Sequence, residues 1–518
     1  MGILDLDALE RWLWASADIL RGSIDSSDYK NYIIGLLFLK RANDVFDEEV
    51  EKIIKEEGLK REEAEENPYI RIPKEAKWNY LKGKTENIGE ALDIAFAAIE
   101  SANTQLEGAM TSTKFGDKEK LSDELLQRLL SHFNQYSLRN EDLYKPDILG
   151  DAYEYLIKMF ADDAGKKGGE FYSPRGVVKL LVQLVKPAPR NKIFDPCNGS
   201  GGIIIEAARY VANLTEGKVG NNINVSLYGQ EKNLGTWAIC KINMIMHNFT
   251  DADIRKGDTL VNPQHKDKNN NLELFDRVVS NPPFSQDRWW TPIEVNIKKK
   301  LDKEGREVEI TPNYAKEVID PFGRFRFGIS PRSYADLAFV QHMIAVLKQD
   351  GRMCTVLPHG ILFRSGAEGR IRQKLIEHDL IEGVVGLPAS LFYNTGIPAC
   401  LLLVNKQKPK NLKGKVIIID ASKLYKEGKN QNTIENEHIE TIVKAYDALQ
   451  DVDKLMRIVG KDELAENDYN LNITRYIDNT DVVIEVIMPD VLSNINKLKE
   501  QETVIDERLF SYLKELGL

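Results

Sequence analysis

The chain is poor in cysteine and in excess positive charge, and each shortage removes a class of function. Four cysteines, Cys197, Cys240, Cys354 and Cys400, are scattered through 518 residues without CxxC or Cys/His spacing. That pattern excludes a disulfide framework and a cysteine-based zinc site, and no metal is expected. Acidic residues outnumber basic ones by 80 to 70, for a net charge of −10. A chain of that sign does not grip nucleic acid through its overall field, so a local groove or a partner has to supply positive charge. Long apolar runs are also missing. The stretch IIGLLFL, Ile33 to Leu39, is far too short to cross a bilayer. The opening MGILDLDALERW is acidic and lacks the basic region and long apolar core of a signal peptide. Leu6 stands where a myristoylation motif needs Ser or Thr. No membrane association and a cytoplasmic location are the expectations.

What is present falls into three parts, since a chain of this length exceeds one core. Residues 1–145 read as a helical domain: apolar side chains recur three and four apart through DYKNYIIGLLFLKRANDVF, with Ser26 or Ser27 as a cap. Residues 146–410 alternate short apolar strands with helical segments, which predicts an α/β fold built on a parallel, Rossmann-like sheet with helices on both faces. Residues 411–518 form a C-terminal region returning to helix. Its last helix is expected to start from an N-cap at Asp490, with Val491, Ile495, Leu498, Ile505, Leu509 and Leu516 at heptad positions.

The stretch FDPCNGSGG, Phe194 to Gly202, lies between a strand and a helix. Glycines there let a ligand approach the backbone. The spacing is not G-x-G-x-x-G, because Ile204 occupies the third glycine position, and no GxxxxGK[ST] occurs. A nicotinamide dehydrogenase is therefore disfavoured. Asp195 precedes the glycines; a carboxylate suits a cationic ligand better than a pyrophosphate, and S-adenosylmethionine is cationic. Glu231 ends the next strand and is placed for a ribose diol, and Asp258 follows a third strand, where it can accept from an adenine amino group. Asp195, Gly199, Ser200, Gly201, Gly202, Glu231 and Asp258 are thus candidates for binding an adenosyl cofactor.

SNPPFSQ, Ser280 to Gln286, follows the apolar run FDRVV. Neither Pro282 nor Pro283 has an N–H for a strand ladder, so the chain leaves the strand on a rigid corner. Asn281 can accept one N–H of a poorly nucleophilic amine and the Pro282 carbonyl the other, while Phe284 offers a face for stacking. Asn281, Pro282, Pro283 and Phe284 are the candidate catalytic residues, with Tyr393 a second aromatic wall.

In their order, LWASADILRGSIDSSDYKNYIIGLLFLKR, GGEFYSPRGVVKLLV, DPCNGSGG, SNPPF, FRFGISPRSYADLAFVQHM, LPASLFYNTGIPACLLLVNK and NDYNLNITRYID resemble the modification subunit of type I restriction-modification systems, an N6-adenine DNA methyltransferase family. The resemblance spans nearly the whole chain. It implies an S-adenosylmethionine-dependent, site-specific DNA methyltransferase acting on the N6 amine of a flipped-out adenine and protecting host DNA. It implies a separate specificity subunit, with two modification subunits to each, and a restriction subunit carrying helicase and nuclease. It also implies that Glu170, Phe171, Tyr172, Ser173, Pro174 and Arg175 lie over the methionine end of the cofactor, and that the last helix docks on a partner. The segment between SNPPF and FGISPRS is longer than usual for the family. A protein-glutamine or ribosomal RNA methyltransferase could use the same corner, but would not need the long helical flanks. A cytosine-N4 enzyme would carry Ser in place of Asn281. A non-catalytic scaffold would be expected to have lost Asn281 or the glycines.

Overall fold

The computed structural model describes residues 4–24, 29–111, 113–144, 148–163, 173–215, 224–290, 299–301, 307–309, 320–392, 398–428, 431–479 and 488–515. The chain divides into two units, Met1–Ile477 and Asp478–Leu518.

Four long helices, Leu6–Leu20, Tyr29–Glu57, Ile88–Ala102 and Asp123–Phe133, build the first part of the larger unit. Asp5 caps the first through the Ala8 N–H and Ser122 the fourth through the Leu125 N–H, each satisfying a donor that the helix leaves open. Ser26 and Ser27 lie outside the described residues. The apolar faces of these helices share a core with Ile239, Ile242 and Met246 of the helix Leu234–Met246. The fully buried Tyr153 crosses the same junction, its hydroxyl donating to the Ile239 carbonyl at 2.9 Å.

The sheet strands are β1 (Lys192–Asp195), β2 (Ser226–Glu231), β3 (Asp253–Lys256), β4 (Phe275–Ser280), β7 (Leu347–Pro358), β8 (Ile381–Gly386), β9 (Ala399–Asn405), β10 (Lys415–Asp420) and β11 (Met456–Gly460). A separate hairpin, β5 (Lys299–Leu301) with β6 (Glu307–Glu309), interrupts them in sequence. Spatial order is β11-β10-β8-β9-β7-β4-β1-β2-β3. Successive residues alternate faces: Ile193 and Val279 share a core with the helices Arg175–Val185 and Gly202–Leu214. Their neighbours Phe194 and Val278 face the helices Asp336–Ala345 and Gly366–Glu377. Burial on both faces explains the nearly continuous apolar runs.

Two features differ from the parallel sheet expected. β9 runs antiparallel to both β7 and β8, and β11 antiparallel to β10. Residues 387–398 connect β8 to β9 without any described helix that could make a parallel crossover. The sheet also continues past residue 410, because β10 and β11 extend it. In the smaller unit the helix runs Met488–Glu515, so Asp490 lies inside its first turn and is not the cap. Among the described residues, no helix is long and apolar enough to cross a membrane.

The long segment after β4 is anchored at its two ends. Trp289 and Trp290 pack with Phe325, Ala335, Phe339 and Leu260, and the Trp289 indole donates to the Pro331 carbonyl at 2.8 Å. Arg324, with no exposed side-chain surface, donates to Asp320 Oδ1 at 2.9 Å and to the carbonyls of Thr259 and Leu260 at 3.0 and 2.5 Å. It therefore holds the turn that follows β3. Replacing Arg324 with Met leaves two buried carbonyls without their donor and strips Asp320 of its ion-pair partner, leaving it only backbone N–H donors. The expected loss is about 3–5 kcal/mol of stability in chemical denaturation, with Arg324→Lys recovering only a fraction, since an ammonium cannot reproduce the fork.

Candidate active site

From β1 the chain steps outward to β2 and β3, then returns to place β4 on the other side of β1. The carboxyl ends of β1 and β4 therefore flank the crevice where open α/β sheets bind ligands. FDPCNGSGG leaves β1 and SNPPF leaves β4, so the two motifs meet there.

They are joined directly. The Ser280 hydroxyl donates to Asp195 Oδ1 at 2.7 Å, and the same oxygen accepts the Cys197 N–H at 2.9 Å. Asp195 is almost wholly buried. Burial pushes its carboxyl up to about 7, against the pull of those two donors. Asp195 thus sits at the root of the glycine turn rather than on an open surface.

The turn needs its glycines for two reasons. Gly199 and Gly201 have φ of +53° and +89°, where a side chain is strained. A Cβ on Gly201 would also stand 2.3 Å from Met244 Cε and 3.0 Å from Cys240 Sγ. That pressure comes from the helix Leu234–Met246 as well as from any need to keep ligand space. The Ser200 carbonyl accepts from Asn243 Nδ2 at 2.9 Å, which fixes the turn on the same helix.

Glu231 ends β2 and accepts the N–H groups of Gly199 at 3.0 Å and Asn233 at 2.8 Å. Burial raises its carboxyl, with those amides opposing. Asp258, just past β3, accepts from the N–H groups of Leu260 and Val261 at 3.0 and 3.2 Å and pairs with Lys232 at 2.8 Å. Both acids are part-exposed at adjacent strand ends. The structure therefore brings Asp195, Gly199, Ser200, Gly201, Gly202, Glu231 and Asp258 to one rim.

At the corner, Asn281 Nδ2 donates to Ser173 Oγ at 2.9 Å, while Asn281 Oδ1 is buried and has no hydrogen-bond partner among the described residues. Pro282 is buried and Pro283 exposed. Two residues beyond Pro283, Ser285 takes a φ of +51° and donates its N–H to the buried Asp336 at 2.8 Å, which fixes the chain as it leaves the corner. Phe284 meets Phe392 edge-on, with ring centroids 5.5 Å apart. Ser173 and Pro174 precede the helix Arg175–Val185, whose first residue, Arg175, is exposed. Glu170, Phe171, Tyr172 and Tyr393 lie outside the described residues.

Three contributors had no role assigned from the sequence. Phe392 adjoins the aromatic singled out there, but only the fold turns it toward Phe284. Asp336 is distant in sequence from the corner it fixes. Glu154, on the helix Ile148–Asp163, lies where a Cβ on Gly202 would be 4.0 Å from its Oε1. Burial pushes that carboxyl up to about 7, with Arg209 and Arg175 opposing and Asp151 and Glu206 reinforcing the rise. Among the described residues, no group of His, Cys, Asp and Glu could hold a metal ion.

Comparison with known proteins accounts for this arrangement. Residues 144–483 match the family model described as N-6 DNA Methylase, and residues 9–133 that of the HsdM N-terminal domain. The methylase subunit of the type I restriction enzyme MjaVIII of Methanocaldococcus jannaschii is 32% identical, over 99% of this chain and 85% of its own. That of MpnII of Mycoplasma pneumoniae is 28% identical, over 97% and 95%. The solved type I restriction-modification methyltransferase subunit of Streptococcus thermophilus superposes with a TM-score of 0.76 at 31% identity, covering 92% of this chain and all of that one. The helical N-terminal part is thus matched by a family model of its own. The chain belongs to the N-6 DNA methylase family, as a methyltransferase subunit of the type I restriction-modification kind and an adenine-specific DNA methyltransferase.

Proposed function

We propose that this subunit methylates the N6 amine of an adenine flipped out of duplex DNA, using S-adenosylmethionine. The DNA site is chosen by a separate specificity subunit, with two copies of this chain to each, and unmodified DNA is cleaved by a restriction subunit. The observation that carries the reading is the buried Asn281 Oδ1 without a partner. A buried acceptor left open is costly unless a ligand supplies its donor. An exocyclic amine is such a donor, and it is out of reach while the base stays stacked.

Two hydrogen bonds, to Asn281 Oδ1 and to the Pro282 carbonyl, would draw the amine lone pair out of the ring and aim it at the methyl. The cofactor, when bound, supplies a methyl group already activated on a sulfonium. The donor set suits that cofactor: Glu231 and Asp258 offer carboxylates for ribose hydroxyls and an adenine amino group, and the glycines leave the turn's backbone accessible. Glu170, Phe171, Tyr172, Ser173, Pro174 and Arg175 would cover its methionine end. Phe284, braced edge-on by Phe392, would hold the flipped base by stacking, worth about 1–3 kcal/mol, with Tyr393 as a second aromatic wall. Positioning and electrostatics then account for the catalysis.

Asn281→Ala should lower transfer at least about 10²-fold while leaving cofactor affinity nearly unchanged, because the acceptor acts chiefly as charge develops on the amine. Asn281→Asp should retain more activity than the alanine variant, having kept an acceptor oxygen. A labelled-methyl assay on adenine-containing DNA checks both, and an alanine variant as active as the parent would remove the corner from the mechanism.

Cofactor affinity should also depend on pH. Asp195 and Glu154 are each held up to about 7, so they are neutral below that range and ionised above it. A cationic ligand favours the ionised pair. Affinity should therefore rise several-fold between about pH 6 and pH 8, with net proton release on binding. Calorimetry in buffers of different ionisation enthalpy measures both quantities, and a pH-independent affinity would contradict this electrostatic account.

The docking role belongs to the helix Met488–Glu515. Ile495, Leu498, Ile505, Leu509 and Tyr512 are all exposed along it, an apolar face of the kind that buries against another helix. Removing residues 488–518 should leave cofactor binding intact but abolish site-specific methylation and co-purification with the specificity subunit. If the shortened chain assembles and methylates at full rate, the helix has no docking role.

A further inference from the structure

We infer that Ser173 is a positioning residue for the reaction, holding the Asn281 amide so that its oxygen is the end left for the target amine. The inference rests on the amine-methylation reading above. A primary amide presents an acceptor at one end and donors at the other, and only the acceptor end helps an incoming amine. Asn281 Nδ2 donates to Ser173 Oγ at 2.9 Å, whereas Oδ1 is buried with no partner. The nitrogen end is therefore satisfied and the oxygen end is left open.

The contact does more than choose an orientation. An amide whose N–H donates carries more negative charge on its oxygen, because linked hydrogen bonds polarise one another. Donation to Ser173 thus strengthens Oδ1 as an acceptor at the moment the amine needs it. The contact also spans 108 residues of sequence. Ser173 sits at the entrance of the helix Arg175–Val185, immediately before Pro174, and proline restricts the residue before it to extended backbone. The hydroxyl is carried by a conformationally narrow segment, which makes it a fixed reference for a side chain at the end of β4. Removing it leaves Asn281 Nδ2 without an acceptor whenever Oδ1 faces the target. The productive orientation then becomes the penalised one, because a buried donor is left unmade.

The test separates this role from a structural one. Ser173→Ala should lower kcat by about 10-fold at saturating cofactor and DNA, where any weakening of the cofactor contact no longer limits the rate, with the affinity for DNA, measured by calorimetry, changing less than about twofold. Ser173→Thr, which keeps the hydroxyl, should restore most of kcat. The decisive comparison is made in an Asn281→Asp background. A carboxylate offers an acceptor at either end and has no N–H to satisfy, so there Ser173→Ala should change kcat less than about twofold. An equal loss in both backgrounds, an unaltered kcat in Ser173→Ala, or a loss confined to cofactor affinity would each overturn the inference. A fully active Asn281→Ala would instead refute the amine-methylation reading itself, so the two failures are distinguishable.

Discussion

The hydrogen bond from the Ser280 hydroxyl to the Asp195 carboxyl is the constraint on which the active site depends. It closes the crevice at the point where the sheet changes direction, tying the root of the glycine turn to the residue that precedes Asn281. Burying an acid there is unfavourable in itself, as the upward displacement of its carboxyl shows. The gain is registration: the end of β1 and the end of β4 cannot slide relative to each other without exposing an unmade polar contact. Productive methyl transfer tolerates little misplacement, so a rigid tie at this position contributes to rate without touching the reacting atoms.

What the sequence disclosed and what it withheld divide along contact distance. The glycine turn, the acids at Glu231 and Asp258 and the proline corner were all legible, because each is a local motif whose backbone chemistry is set by its own few residues. The alternation of strands and helices gave the α/β class for the same reason. The direction of β9 was not legible, since an apolar run reads alike in either sense. Nor was the crowding of Gly201 by Met244 and Cys240, which a ligand-centred reading of the glycine misses. Phe392, Asp336 and Arg324 were hidden likewise: each acts on a turn far from it in sequence, where only the folded chain brings them together.

The long segment after SNPPF illustrates the point. By sequence it was an oddity, longer than the resemblance would suggest. In the structure its two ends are sewn into one small aromatic cluster, with Trp289 and Trp290 entering and Phe325 leaving. Arg324 then bonds the carbonyls beside Asp258. The described ends of the segment thus enter and leave through one packed cluster.

A common logic runs through the polar groups of the site. Glu231 and Asp258 are each partly satisfied by backbone amides of their own turns, which fixes their direction while leaving lone pairs for a ligand. Asn281 follows the same plan, its nitrogen bonded and its oxygen open. An open buried acceptor destabilises the free protein by about 1–3 kcal/mol, and Asn281 shares that feature with Asn198 and Asn243 but stands alone in lying at the corner after β4. When a donor of the right geometry arrives, that penalty is relieved, and relieved most as positive charge grows on the donor's nitrogen. On the proposed reading, relief on binding the donor and the further strengthening as charge grows on it are separate contributions, and only the second lowers the barrier.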